Sequence, residues 1–328
     1  MKRQPRVHNR DLHGIVLLDK PLGLSSNQAL QTVRRLLRAT KGGHAGALDP
    51  LATGLLPLCF GEATKLACNL LGSRKAYVAR CRLGVTTDTA DLEGEVVQER
   101  AVPTLDDAAI EMALSKFRGH IVQVPPKYSA IKQGGERLYV KARRGEDVDV
   151  PAREVDVYRL DLLSRQADTL ELYIECGSGT YIRSLAVDLG EALGCGAHLA
   201  SLRRAWVAPF HEPRMVTLDE LQQAAARSDD DLLAHLLPVT AGLCELPVVH
   251  LSESQSMAIS RGQPTQLTSP PAPGRCTAFA SDGALLAVLE VNEAGCTRIL
   301  RGFNLPPSPQ FAQKDTSALV VTPLASVE

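Results

Sequence analysis

The chain has 328 residues, 45% of them apolar, and a formal net charge of −1, enough for a sizeable core and about two domains. No apolar run reaches the roughly 20 residues that a membrane-spanning helix needs, and the basic start Met1-Lys2-Arg3-Gln4-Pro5-Arg6 leads into no secretion segment, so a cytoplasmic protein without membrane attachment is expected. Eight cysteines stand singly with no C-x-x-C pair, a spacing that argues against a disulfide frame and against a metal site.

Ile15-Val16-Leu17-Leu18 is a short apolar run that stops at Asp19-Lys20-Pro21 and reads as a buried strand entering a loop. Ser25-Ser26-Asn27 supplies cap chemistry for a helix with Ala29, Leu30, Val33, Leu36 and Leu37 at helical spacing. From Lys41 to Gly61 there are five glycines and two prolines and neither period, yet the stretch carries Leu48, Leu51, Leu55, Leu56 and Leu58. Loops normally lie in water, so a Gly-rich apolar one is expected to be buried and functional.

A helix follows from Glu62 to Leu71, with Gly72 as terminator. Tyr77, Ala79, Cys81 and Leu83 then alternate with Ala76, Val78, Arg80 and Arg82, the period of a half-buried strand. Thr104-x-x-Asp107 opens another helix in capping-box style, and Pro125-Pro126 enforces an extended passage. Leu170, Leu172, Ile174 and Cys176 alternate as a strand. Gly177-Ser178-Gly179-Thr180 turns into a helix ended by Gly194, and Thr217-x-x-Glu220 caps one more.

After residue 246 the texture changes. The pieces Val248 to Leu251, Thr277 to Ala280, Leu285 to Val291 and Thr297 to Leu300 are separated by turns, which predicts a small all-β module of about 60 residues. The layout expected is a basic flexible N-terminus (1–12), a main domain (13–245), the β module (246–303) and a disordered tail (304–328). Strands and helices in mixed order, without regular βαβ alternation, predict an α+β main domain.

Charge is segregated. Residues 1–82 carry 14 Lys and Arg against 4 acids, and residues 116–144 carry eight against Glu136 alone. Such segregation is the footprint of a phosphate-backbone partner, although solvated helix faces give the same pattern. The glycine-rich stretch is no phosphate loop, because Gly42-Gly43 is followed by His44 and no Gly-Lys-Ser/Thr occurs. It sets His44 and Asp49 five residues apart between glycines that let backbone approach a ligand. Pro50 biases Asp49 away from helical geometry and can present its carboxylate at a loop tip. On local grounds an Asx-turn aspartate before proline fits equally well.

Two long stretches then decide between these readings: Gly14-Ile15-Val16-Leu17-Leu18-Asp19-Lys20-Pro21-Leu22-Gly23-Leu24-Ser25-Ser26 and Gly43-His44-Ala45-Gly46-Ala47-Leu48-Asp49-Pro50-Leu51-Ala52-Thr53-Gly54-Leu55-Leu56-Pro57. With Lys75-Ala76-Tyr77, Gly84 to Asp91, Pro125 to Lys132, Gly179-Thr180-Tyr181-Ile182-Arg183-Ser184 and Leu199 to Arg204, the chain strongly resembles the bacterial tRNA pseudouridine-55 synthases, the TruB family. The likeness covers residues 14 to 302. It implies a pseudouridine synthase catalytic core with a central mixed sheet, and an RNA-binding module of PUA type for residues 246–303.

The resemblance implies an isomerase that converts uridine 55 in the T-loop of tRNA to pseudouridine, with the base flipped out. Nothing is oxidised and no group is lost, so neither cofactor nor metal is expected. Asp49 matches the catalytic aspartate, which either attacks C1′ or takes the C2′ proton. Arg183 matches the arginine that pairs with it and counters the rise in pKa that burial would cause. Tyr77 matches the residue that stacks on the base, Tyr181 and Leu202 the walls of the uridine pocket, and His44 a histidine that helps displace the base. Lys20 matches a lysine near the site, with a supporting role in structure or phosphate binding. Ser178 departs from the lysine often found before Gly-Thr-Tyr. The partner implied is tRNA, bound by a monomer that needs no other protein. A guide-RNA-dependent synthase of dyskerin type and a tRNA-folding chaperone are the alternatives.

Overall fold

A computed structural model describes residues 9–126 and 150–305, with 128, 132–133, 136–137, 144 and 146 between them. The tail beyond residue 305 and residues 1–8 of the basic N-terminus lie outside the described residues. The chain divides into two compact units, residues 1–237 and 238–328. The division falls ahead of the boundary expected at 245/246, because Leu237 exchanges two backbone hydrogen bonds with Ile15 (2.8 and 2.9 Å) and the first unit closes there.

In chain order the first unit holds β1 (Gly14–Lys20), α1 (Ser26–Leu37), β2 (Gly42–His44), β3 (Ala52–Phe60), α2 (Ala67–Leu71), β4 (Lys75–Leu83), β5 (Val85–Thr87), β6 (Val96–Glu99) and α3 (Asp107–Ser115). It continues with β7 (Gly119–Gln123), β8 (Lys132–Gln133), β9 (Glu136–Arg137), β10 (Arg153–Gln166), β11 (Thr169–Cys176), α4 (Ile182–Ala192), β12 (Ala197–Val207), α5 (Leu218–Arg227) and α6 (Asp229–Leu233). The main sheet runs β1-β3-β12-β4-β11-β10-β7, with β2 also on β3. Every pairing in it is antiparallel except β3 with β12. This is the mixed sheet of an α+β core.

Local chemistry explains the elements that were legible. Ser25 accepts from the Gln28 N–H (3.2 Å) and Gln28 returns a bond to the Ser25 N–H (2.9 Å), the capping box that starts α1. Thr217 and Glu220 do the same for α5. Tyr77, Ala79, Cys81 and Leu83 of β4 turn into the main core with Leu170, Leu172 and Ile174 of β11, while Arg80 and Arg82 face solvent. Helix α4 lies on this core through Leu185, Ala186 and Leu189.

Three expectations change. The stretch 41–61 is not one long loop, since β3 fills its second half. Leu55, Leu56 and Leu58 are all fully buried, and a strand covered on both faces shows no alternation. Gly54 adds to the disguise: with φ +94° it lies against β12, and a Cβ there would meet the Arg204 carbonyl oxygen at 2.2 Å. The segment 62–71 opens as a 3-10 helix over Gly61–Leu66 and becomes α-helical only in α2. Asp106, not Thr104, caps α3, because its carboxylate stands three residues before the Ala109 N–H it accepts (2.7 Å).

The second unit carries β13 (Val248–His250), α7 (Glu253–Ser260), β14 (Gly274–Phe279), β15 (Leu285–Val291) and β16 (Thr297–Gly302). Its four strands form one sheet in chain order over a core of Val249, Leu251, Ile259, Cys276, Ala278, Leu289 and Val291. To the β pieces read from the sequence the structure adds α7, boxed by Ser252 and Gln255. Among the described residues no helix is long and apolar enough to cross a membrane.

Candidate active site

Asp49 lies in the turn between β2 and β3, and the turn is pinned on both sides of it. The buried Ser26 hydroxyl accepts from the Leu48 N–H (2.7 Å) and donates to the Leu48 carbonyl (3.0 Å). On the other side the Pro50 carbonyl accepts from the Gly23 N–H (2.8 Å) and from Lys20 Nζ (3.4 Å). The backbone is thereby fixed while the carboxylate looks into open space, 46% exposed.

That carboxylate meets Arg183, the second residue of α4. Arg183 Nη2 lies 3.1 Å from Asp49 Oδ2 and donates to the Tyr128 carbonyl (2.9 Å). Its Nη1 reaches Asp91 Oδ2 and the Thr89 carbonyl, both at 3.2 Å. Asp91 is buried and accepts at Oδ1 from the Thr89 hydroxyl (2.6 Å) and the Glu93 N–H (3.1 Å). One guanidinium thus serves two carboxylates.

The electrostatics follow from that sharing. Although its side chain is half open, Asp49 is crowded by protein atoms, and the loss of water is the largest influence, raising its pKa above the ordinary carboxylate value. Arg183 pulls the other way, Asp91 pushes up again, and Lys20 pulls down. Arg183 counters burial as expected, but it is shared with Asp91, and the balance stays upward.

Beside Asp49 opens a cavity of about 300 Å³, at the small end of the roughly 300–1,000 Å³ usual for ligand pockets. Tyr77 of β4, Leu202 of β12 and Tyr181 and Arg183 at the start of α4 line it with Asp49. The five residues come from four distant stretches of chain. Tyr77 and Leu202 project together because they lie on neighbouring strands of one sheet face. Tyr181 is fixed by Gln123, which accepts from its N–H (2.8 Å) and donates to its carbonyl (3.0 Å).

Two expected residues lie outside the cavity lining, His44 on β2 and Lys20 beneath the Asp49 turn. His44 sits on β2 opposite Leu58, outside the cavity lining, with its Nδ1 buried and without a partner among the described residues. Burial, aided by the Arg204 charge, lowers its pKa and keeps the ring neutral. Lys20 is fully buried beneath the turn and donates to the Leu24 (2.6 Å), Pro21 (2.8 Å) and Pro50 carbonyls, tying the loop segments together. Burial brings its ammonium down to about 8.

Sequence reading missed three wall or support residues. Arg204 is 1% exposed and donates to the Leu55 (2.7 Å) and Gly46 (3.0 Å) carbonyls. Lys75 donates to the Leu71 (2.9 Å) and Ser73 (2.8 Å) carbonyls, and burial, then Arg204, lowers it to about 8. Asp91 is the third. Its only signal was a threonine-rich turn with two acids, and nothing local separates it from the exposed Asp88.

Comparison with known proteins bears directly on this pocket. The TruB family pseudouridylate synthase N-terminal domain matches residues 34–182, and the tRNA pseudouridylate synthase B C-terminal domain matches residues 183–243. The chain belongs to the TruB family. A protein of Xanthomonas euvesicatoria pv. vesicatoria (strain 85-10) named tRNA pseudouridine synthase B is 57% identical over 280 residues, 85% of this chain and 90% of that one. Its namesake in Xylella fastidiosa (strain Temecula1 / ATCC 700964) is 53% identical over 302 residues, 92% of this chain and 99% of that one. In fold, this TruB family member resembles a chain in a crystal structure of a Cbf5-Nop10-Gar1 complex, with a TM-score of 0.69, 24% identity and coverage of 92% and 87%. A chain of the archaeal box H/ACA sRNP Nop10-Cbf5 complex matches with a TM-score of 0.67, 24% identity and coverage of 95% and 91%.

Proposed function

We propose that this chain converts uridine 55 in the T-loop of tRNA to pseudouridine, with Asp49 as the nucleophilic carboxylate and the target base flipped out of its stack. The observation that carries this reading is the Asp49 carboxylate, 3.1 Å from Arg183, in the wall of a cavity bounded by Tyr77, Tyr181 and Leu202. The relatives named tRNA pseudouridine synthase B support tRNA as the substrate.

The isomerisation breaks N1–C1′, turns the base and joins C5 to C1′. Asp49 acts in its ionised form, by attack on C1′ or by removal of the C2′ proton. A carboxylate with a raised pKa is a stronger base once ionised, and Arg183 holds it in place. Extruding the base costs a few kcal/mol, part of which stacking on Tyr77 offsets. The C-terminal unit serves in this reading as an RNA-binding module of PUA type.

The test is incubation of the purified protein with unmodified tRNA transcript, followed by pseudouridine mapping, for wild type and Asp49→Asn. The expected result is one modified T-loop uridine without added cofactor or guide RNA, and complete loss in the variant with tRNA binding retained. A fully active Asp49→Asn variant removes the role given to Asp49. Activity only with a guide RNA assigns the dyskerin-type function instead. No pseudouridine from wild type, with tRNA refolding intact, leaves the chaperone.

A further inference from the structure

We infer that Arg153 is a phosphate-binding residue at the mouth of the cavity, where it contacts the RNA backbone beside the flipped nucleotide; the inference rests on the reading proposed above. Arg153 opens β10, and its register partner on β7 is Gln123. Residues directly opposed in an antiparallel pair project to the same side, and both of these reach Tyr181. Gln123 clips the Tyr181 backbone through its two hydrogen bonds. Arg153 lies over the ring, its guanidinium carbon 5.5 Å from the ring centroid. A Cβ on Gly179 would stand 3.8 Å from an Arg153 guanidinium nitrogen. Gly179 and Tyr181 line the cavity and Arg153 does not. The guanidinium is therefore on the rim, beyond reach of a base held inside and beside the path its backbone must take.

Its pairing among the described residues sets it apart. The arginines of the outer sheet face are paired with acids: Arg74 with Glu175, Arg80 with Glu171, Arg82 with Asp168, Arg203 with Asp19. Among the described residues no carboxylate pairs with Arg153. Its flanking acids are engaged by His120, which lies 3.4 Å from Glu154 and 3.0 Å from Asp156. The adjoining turn, Gly177 to Thr180, brings no charged side chain. An aromatic face orients a guanidinium without cancelling its charge, which leaves the planar fork of N–H donors for an anion. Phosphate is the anion that a nucleotide drawn into the cavity carries to its mouth, and the arginine fork fits two of its oxygens.

The experiment measures tRNA binding across a salt series, and single-turnover pseudouridine formation at saturating tRNA, for wild type, Arg153→Ala and Arg153→Lys. Loss of one phosphate contact should lower the slope of log K against log salt by about one unit and weaken binding roughly five- to tenfold at low salt. Arg153→Lys should restore the slope, since a lysine keeps the charge. A T-stem-loop with one methylphosphonate next to the target uridine should bind wild type more weakly, and should not weaken Arg153→Ala further. Unchanged slope and affinity in Arg153→Ala overturn the inference. So does a fall in turnover at constant slope that lysine fails to rescue, the signature of an arginine that only props Tyr181. Failure of wild type to form pseudouridine would instead count against the proposed function, while the binding series would still report on Arg153.

Discussion

Arg203 and Arg204 are neighbours on one strand and lead opposite lives. Arg203 points to the outer face of the sheet, 45% exposed, and makes a two-pronged pair with Asp19 at 2.8 and 3.0 Å. Arg204 points inward, 1% exposed, and gives its donors to two backbone carbonyls behind the Asp49 loop. The contrast extends across the sheet. Outside, Arg80 and Arg82 trade charge with acids in water; inside, Lys75, Arg204 and Arg183 are satisfied by carbonyls and by the buried Asp91. Exposed pairs are screened and worth little, whereas an interior cation must be fully bonded or it is costly. The cavity face is therefore where charge is expensive and shaped, and the outer face where it is cheap and replaceable.

The largest effect that can break this comparison is expected at Arg204. Arg204→Met keeps the volume but leaves the Leu55 and Gly46 carbonyls without their donor, a loss of about 3–5 kcal/mol. The midpoint of urea unfolding measures it, and a loss under about 1 kcal/mol would erase the distinction between the faces.

Asp91→Asn sharpens the comparison through pH. In the proposed reaction Asp49 acts in its ionised form, so kcat/KM should rise with pH through the Asp49 pKa, which lies above the ordinary carboxylate value. Asp91 contributes to that elevation, so its neutralisation should move the acid limb to lower pH. A limb that stays put, or moves up, would show that Asp91 does not act on Asp49. Stability carries the same sign. A carboxylate with a raised folded-state pKa is penalised above that pKa and not penalised below its unfolded value. Asp49→Asn should accordingly stabilise the protein above the raised Asp49 pKa, and the gain should fade as the pH falls from that pKa to the ordinary carboxylate value.

The smallest effect belongs to the outer face. Arg203→Ala should change unfolding stability by about 1 kcal/mol or less, and that difference should shrink in high salt. A salt-independent loss of several kcal/mol would mean that the outer pair is structural after all.

Much of the site was legible because it is local. The loop carrying Asp49, the tyrosine and arginine at the start of α4 and the alternation that aims Tyr77 inward are all features of short segments. What failed to show was whatever depends on two-sided burial or on a distant partner. β3 hid because both its faces are covered, so Leu55, Leu56 and Leu58 carry no period. Asp91 hid because only the approach of Arg183, 92 residues away, distinguishes it from Asp88. The family resemblance gives His44 a part in displacing the base, and only the folded chain shows that it stands on β2, outside the cavity lining.

The sequence by itself determined the helix caps at Ser25 and Thr217, the strand faces of β4 and β11, the segregation of basic charge and the family motifs, since each is written in residues a few positions apart. Only the tertiary structure decided which cation is interior and which is solvated, that Arg183 is divided between Asp49 and Asp91, and that Arg153 and Gln123 both reach Tyr181. Charge has its effect through distance and the loss of water, and both are fixed only when remote strands come together.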